Sequence, residues 1–333
     1  MGRRIALYFA WDRAAEAAAP LTNLDDRFPA LFEVRRLFWP AYESLGSREV
    51  PEQGIDGFIE HVFLQNFRLF TQLAKSWTQQ PVRVLHRRSE GAPVLLGREL
   101  LGECETLIII SFDTRHSAQE VTPAEVAAVR EFLAQPDRTV FVCPHHAIGD
   151  AEDLPKAERL AVQKAEFDHH GDKAIPGEQR FGGFALSLMR GLGVPIRNRF
   201  GFRPATGSDG QPMTFELLTA DPTGLLADVS TLNSHPHLPH FERLEQSGDL
   251  LEVLVRQRID ARAPRHPLAP DRQDFDSILQ ARAGLFCGAL FVTDATLWSS
   301  AAGGLGELQT LWRNVALGQT ATSRRSPSLS GSA

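Results

Sequence analysis

The chain has 333 residues, 43% of them hydrophobic and 23% charged, with a formal net charge of −6. This is the composition of an ordinary globular protein, which excludes collagen-like, disordered and disulfide-scaffold classes. The length suffices for one large or two ordinary domains, and the lack of any concentrated basic run argues against nucleic acid as a partner.

The first element in chain order is Arg4–Trp11, whose apolar run Ile5–Trp11 reads as a buried strand. The run superficially resembles a signal peptide, but it is short and Asp12-Arg13 ends it where a cleavage region belongs. No apolar stretch reaches the ~18 residues of a membrane span, so neither a membrane nor a secretory setting is expected and the cytoplasm is the predicted compartment. Cys104, Cys143 and Cys287 are odd in number and widely spaced, which fits reduced thiols better than a disulfide framework. Apolar residues from Ile55 through Phe58, Phe63, Phe67 and Phe70 to Leu73 keep helical spacing. Such a stripe belongs to a core, or to a partner surface if one face is exposed.

Val82–His86 and Thr106–Phe112 follow as strands, the second apolar on both faces, as parallel sheets covered by helices require. Thr122-Pro-Ala-Glu125 is a capping box with proline at the first helical position, and Thr139–Cys143 is the next strand. Helices are expected over Leu154–Phe167 and Gln179–Leu192, and strands over Met213–Leu218 and Leu250–Val255. Ala261–Asp276 reads as an exposed loop, Gly288–Thr293 as a buried strand, Leu305–Leu317 as a helix, and the segment from Gln319 as a disordered tail. The fold class expected is α/β: a doubly wound, mostly parallel sheet from residues 1–150 and 280–318, with residues 151–279 as a middle insertion and 319–333 as the tail.

Three of these runs resemble the glutamine amidotransferase-like superfamily: Leu107-Ile-Ile-Ile-Ser-Phe-Asp113, the helix from Thr122 to Leu133, and Thr139-Val-Phe-Val-Cys143. Ala289–Asp294 followed by Leu311-Trp-Arg-Asn314 is similar to the last strand and helix of its non-amidotransferase branches, such as the trehalose-utilisation type. The resemblance implies a flavodoxin-like sheet and says little about function. It also implies a nucleophilic cysteine at about Cys143. The flanking Val142 and Pro144 are unsuited to a strained elbow, and Pro144 lacks a backbone N–H for an oxyanion hole. A buried, inert thiol without glutamine amidotransfer is the expectation.

Histidine carries the remaining chemistry. Seven of the eleven lie in three short clusters: His145-His146, His169-His170, and His235, His237 and His240. The first follows a parallel strand, at the carboxyl edge where open α/β sheets bind ligands, and Asp12, Asp113 and Asp294 also follow strands. Catalytic candidates are His145, His146 and Asp113, and substrate-binding candidates are Asp12 and Asp294. His146, His170, His235 and His237 are candidate ligands of a divalent metal such as zinc, which takes neutral imidazole and carboxylate donors. Against this, adjacent histidines ordinarily point apart, no high-specificity ligand spacing is present, and histidines often only pack and hydrogen-bond. The Gly-rich runs Gly182-Gly183 and Gly303-Gly304 match no phosphate loop and read as close packing or turns. Arg197, Arg199 and Arg203 either bind an acidic ligand or form one polar face of a strand. Two functions stay open: a hydrolase-like or acid-base enzyme acting on a small polar substrate, with or without a metal, and a catalytically silent module that binds a ligand or a protein. A homo-oligomer is compatible with both.

Overall fold

A computed structural model of the protein describes residues 2–18, 59–89, 91–113, 119–147, 154–170 and 182–318. The predicted tail and residues 54–58 of the predicted long helix lie outside the described residues. β1 (Ile5–Asp12) leads into α1 (Arg13–Ala18). A π-helical turn (Ile59–Phe63) precedes α2 (Gln65–Thr78), then β2 (Arg83–Arg88), α3 (Arg98–Gly102), β3 (Thr106–Ser111), α4 (Pro123–Phe132) and β4 (Thr139–Pro144) follow. Next come α5 (Lys156–His170), α6 (Gly183–Gly191), β5 (Ile196–Phe202), β6 (Glu216–Leu217), β7 (Leu238–Arg243) and β8 (Leu251–Arg258). β9 (Asp274–Ala281), β10 (Ala289–Val292) and α7 (Leu305–Leu317) complete the order.

One eight-stranded sheet runs β2-β1-β3-β4-β10-β9-β8-β6. It is parallel from β2 through β10, and antiparallel from β10 through β9 and β8 to β6. β5 and β7 form a separate antiparallel pair. Alternate residues of β1 feed opposite layers: Leu7, Phe9 and Trp11 pack with Phe67 and Phe70 of α2 and Leu311 and Trp312 of α7. Ala6, Tyr8 and Ala10 pack with Leu100 of α3, Val129 and Phe132 of α4, and Phe184 and Leu188 of α6. Both faces of the sheet are therefore covered, and every residue of β3 is buried. Burying each isoleucine of Ile108–Ile110 on this strand contributes about 2 kcal/mol. The aromatic stripe of α2 is core: Phe67 and Phe70 are buried.

The capping box at α4 is present as expected, with the Glu125 amide donating to Thr122 Oγ1 and the Thr122 amide to the Glu125 carboxylate. Glu125 also pairs with Arg87 in the interior at 2.5 Å, and this holds its carboxyl below the usual range despite burial. Residues 151–279, read from the sequence as an insertion, supply β6, β8 and most of β9 to the main sheet. The expected strand Met213–Leu218 shrinks to Glu216–Leu217, whereas that over Leu250–Val255 extends to Arg258. β9 was not expected, because its first residues fell in the predicted loop. Its polar residues are buried yet satisfied: Asp276 by Arg256 at 2.8 Å, and Gln280 by Thr219 and the Ala220 carbonyl. Arg199 lies on β5 and donates twice to Glu242 of β7, so it serves the strand pair.

Candidate functional site

Four strands end at one edge of the sheet in the order β1, β3, β4, β10, and they run out into Asp12, Asp113, His145-His146 and Asp294. Adjacent strands bring His145 and Asp294 together, with His145 Nδ1 and Asp294 Oδ1 2.8 Å apart. A carboxylate only accepts, so Nδ1 carries the hydrogen and the neutral ring keeps its lone pair on Nε2. The other oxygen of Asp294 caps the short 3-10 turn Ala295–Trp298, taking the Thr296 amide at 3.1 Å and the Thr296 hydroxyl. Asn198 of β5 holds the strand end from the other side: its side-chain Nδ2 donates to the His145 backbone carbonyl, and its backbone carbonyl receives the Ala147 amide at 2.9 Å.

His235 and His237 reach this edge from the segment preceding β7. Ring centroids lie 4.4 Å apart for His145–His146, 5.4 Å for His146–His237, 5.7 Å for His237–His235 and 5.1 Å for His235–His145. The four imidazoles thus form a closed circuit, and Phe112 packs against His145 at 5.5 Å. The adjacent pair His145-His146 does share one site, because the backbone leaves β4 just before it. His146 Nδ1 faces the Ala147 carbonyl at 3.2 Å, which places its hydrogen there and its lone pair on Nε2. His235 is the reverse: its Nδ1 accepts the His237 amide at 3.2 Å, so the neutral ring bears its hydrogen on Nε2. Burial, reinforced by the neighbouring imidazoles, pushes His146 well below the usual histidine range and His235 down to about 4. Both are neutral at physiological pH.

The other predicted residues have different neighbours. Asp113 is buried and takes the Ser111 hydroxyl at 2.6 Å, the Phe184 amide at 3.0 Å and the Gln119 amide at 3.2 Å, so it anchors the start of α6. Burial pushes it up to about 6. Gly182-Gly183 lets that helix approach: a Cβ on Gly183 would stand 2.8 Å from the Asp113 carboxylate, and one on Gly182 2.6 Å from Pro144 Cβ. Asp12 sits at the same edge but caps α1 through the Ala15 amide at 3.0 Å and faces Arg88 at 3.6 Å. The side chain of His170 lies outside the described residues. His169 packs on His266 at 5.0 Å between ring centroids, and His266 pairs with the buried Glu166 at 3.2 Å. His240 accepts the Asp276 amide, which ties β7 to β9. Among the described residues, no three His, Cys, Asp or Glu side chains are arranged to hold one metal ion. His235 Nδ1 accepts the His237 amide, so its Nε2 carries a hydrogen and offers no lone pair to a metal.

Cys143 is fully buried, with its sulfur receiving the Trp298 indole N–H at 3.2 Å and lying 3.3 Å from the Thr293 hydroxyl. Burial pushes the thiol up to about 12, far from a nucleophile. Three polar residues of the site went unrecognised in the sequence: Asn198, Asn233 and Thr296. Each is a single common residue with no motif, and no local signal announces it. A cleft of about 1180 Å³ opens beside the β8–β9 connection, away from the four histidines, with His266 in its lining. Four arginines, among them Arg258 and Arg272, meet four carboxylates, among them Glu216 and Asp274, so its walls favour neither sign of ligand.

No protein-family model and no curated protein matches the chain. Solved structures similar to it include the mmIFT52 N-terminal domain, at 9% identity and a TM-score of 0.38, covering 73% of this chain and 92% of that one. A ThuA-like protein from Bacteroides uniformis is similar at 11% identity and a TM-score of 0.38, covering 93% of this chain and 89% of the other. The exo-β-1,4-mannosidase Op5Man5 from an Opitutaceae bacterium has 14% identity and a TM-score of 0.29, covering 76% of this chain and 31% of its own. No helix among the described residues is long and apolar enough to cross a membrane.

Proposed function

We infer that the protein is an acid-base enzyme, hydrolytic in type, that acts on a small polar substrate at the ring of four histidines. The observation that carries this reading is the His145–Asp294 pair, a carboxylate-oriented imidazole at the carboxyl edge of a parallel sheet. Asp294 holds the hydrogen on Nδ1 and stabilises the imidazolium that forms when Nε2 takes a proton from water or from a substrate hydroxyl. His235 presents the opposite tautomer, and its Nε2–H donates to the oxygen on which negative charge develops. His146, kept neutral by burial, adds a second acceptor that orients the substrate. No step runs through a metal. Asp113 is then a scaffold residue that holds α6, and Cys143 takes no part.

The order β2-β1-β3-β4-β10 in the parallel half agrees with a flavodoxin-like sheet and supports the resemblance to non-amidotransferase branches of the glutamine amidotransferase-like superfamily, the trehalose-utilisation type included. A cytoplasmic setting with small-molecule partners accords with the free thiols of Cys104, Cys143 and Cys287.

The test is a hydrolysis screen with nitrophenyl esters, phosphates, glycosides and anilides, run on the wild type, His145→Gln and Asp294→Asn. Turnover by the wild type should fall at least about a hundredfold in His145→Gln and by a comparable factor in Asp294→Asn, the range of general acid-base catalysis. No turnover with any probe, or turnover that survives His145→Gln, overturns the enzyme reading. A thermal shift by a bound small molecule, lost in the same variant, would then mark a silent binding module.

A further inference from the structure

Asp294 has two oxygens, and only one faces His145. The other is held from behind by a chain of polar groups that contributes no reacting atom. Thr296 donates to Asp294 Oδ2 through both its amide, at 3.1 Å, and its hydroxyl. Asn233 Nδ2 in turn donates to Thr296 Oγ1 at 2.9 Å. We propose that Thr296 and Asn233 are positioning residues of the histidine site, forming a one-way relay that pins Asp294 and, through it, the His145 ring. The proposal rests on the reading of His145–Asp294 as the acid-base pair.

The direction of the relay follows from donor chemistry. An ionised carboxylate only accepts, so the Thr296 hydroxyl must give its single hydrogen to Asp294. Its oxygen is then left to accept, and only the NH₂ end of Asn233 can satisfy it. Each partner therefore fixes the next, from Asn233 N–H through Thr296 O–H to Asp294, whose other oxygen holds His145 Nδ1–H.

Burial gives the second argument. Asn233 is fully buried, and its Oδ1 has no hydrogen-bond partner among the described residues. An unmade bond of this kind opposes folding, and a leucine of similar volume would avoid that cost. Its amide nitrogen is what leucine lacks, and that nitrogen is the start of the relay. The segment is also held from outside, since the Ser234 amide and hydroxyl both donate to the Ala302 carbonyl, at 3.0 and 2.9 Å. One fixed segment thus carries both Asn233, behind Asp294, and His235, beside His145.

The experiment reads the relay without any substrate. The full-length protein is labelled with ¹⁵N-histidine, the His145 Nδ1–H resonance is assigned by its absence in His145→Gln, and its exchange with solvent is measured. Thr296→Val keeps the shape and removes the hydroxyl, and exchange should quicken about tenfold, the equivalent of one lost hydrogen bond. Asn233→Leu should quicken it in the same direction, whereas Thr296→Ser, which restores the hydroxyl, should stay within about twofold of the wild type. Wild-type exchange in Thr296→Val, or exchange in Thr296→Ser as fast as in the valine variant, overturns the proposal. If Thr296→Val does not fold, Asn233→Leu and Thr296→Ser decide by the same criterion. Failure of the enzyme reading is seen separately, as turnover that survives His145→Gln while the relay variants still change the exchange.

Discussion

Cys143 and His145 stand two residues apart at the end of β4, and the fold gives them opposite roles. The cysteine side chain points into the aromatic layer, where Trp298, Phe141 and Phe70 pack edge to face, and its sulfur is the acceptor for the Trp298 indole. Cys143→Ala therefore opens a small void and leaves a buried indole N–H unpaired, a cost of about 2 kcal/mol. Chemical denaturation should show that loss, while under the proposed function turnover should stay within about twofold of the wild type, since the buried thiol is no nucleophile and Pro144 offers no backbone N–H for an oxyanion hole. A collapse of turnover with stability unchanged would make Cys143 the reacting group. At this scale the sequence shows which polar residues follow the strands and is a poor guide to their partners. His145 and Asp294 are 149 residues apart, and Asp294 carries no mark that separates it from Asp12 or Asp113, which also follow strands. Only the position of β10 beside β4 selects it.

Among the elements, the Gly-rich turn before α7 shows how local composition serves a distant site. Gly303-Gly304 read from sequence as close packing or a plain turn, and close packing is what the structure shows. Gly304 has φ +65°, and a Cβ there would stand 2.8 Å from the Leu232 carbonyl and 3.1 Å from Asn233 Cα. Both contacts fall on the segment that carries Asn233 and His235. Gly304→Ala should therefore destabilise the protein by about 2 kcal/mol or more, the sum of a left-handed alanine and a backbone displacement. Gly193→Ala is the control, with φ +86° but open space around the added methyl, and should cost only about 1 kcal/mol. Urea midpoints of the two variants check the difference, and equal losses would mean that the approach of the turn to Asn233 does not matter. β9 marks where element reading from sequence failed. Alternation is a signal only when polar positions face water, and Asp276 and Gln280 are instead buried against Arg256 of β8 and Thr219 beyond β6.

For the whole molecule, buried histidines set the response to acid. Burial pushes His86, His169, His235 and His240 each down to about 4, and holds His146 well below the usual histidine range. The unfolded chain takes up a proton at each near pH 6.5 while the folded chain does not, so stability is present above that pH and is lost as the pH falls toward 4. Asp113 has the opposite sign. Its carboxyl, pushed up to about 6, contributes stability below the ordinary aspartate value and loses it as the pH rises through 6. Five histidines outweigh one aspartate, so the net slope of stability with pH is positive across this window. Urea midpoints should fall sharply between pH 6.5 and 4, and a flat profile across that window would contradict the burial of these rings. Asp113→Asn should gain on the wild type as the pH rises from 4 to 6.

The sequence by itself determined the parallel half of the sheet, the α4 capping box, the α7 helix and the clustering of histidine. These follow from signals a few residues long, namely runs apolar on both faces, helical spacing, a cap and clusters of histidine. Only the tertiary structure decided which clusters meet. It joined His145 and His146 to His235 and His237, sent His169 to His266, gave Asp113 to the start of α6, and extended the sheet with β9, β8 and β6. The physical reason is that strand order and the packing of connecting segments depend on contacts between residues far apart in the chain. No local pattern of charge or hydropathy encodes such contacts, and the tautomers of the four rings depend on them in turn.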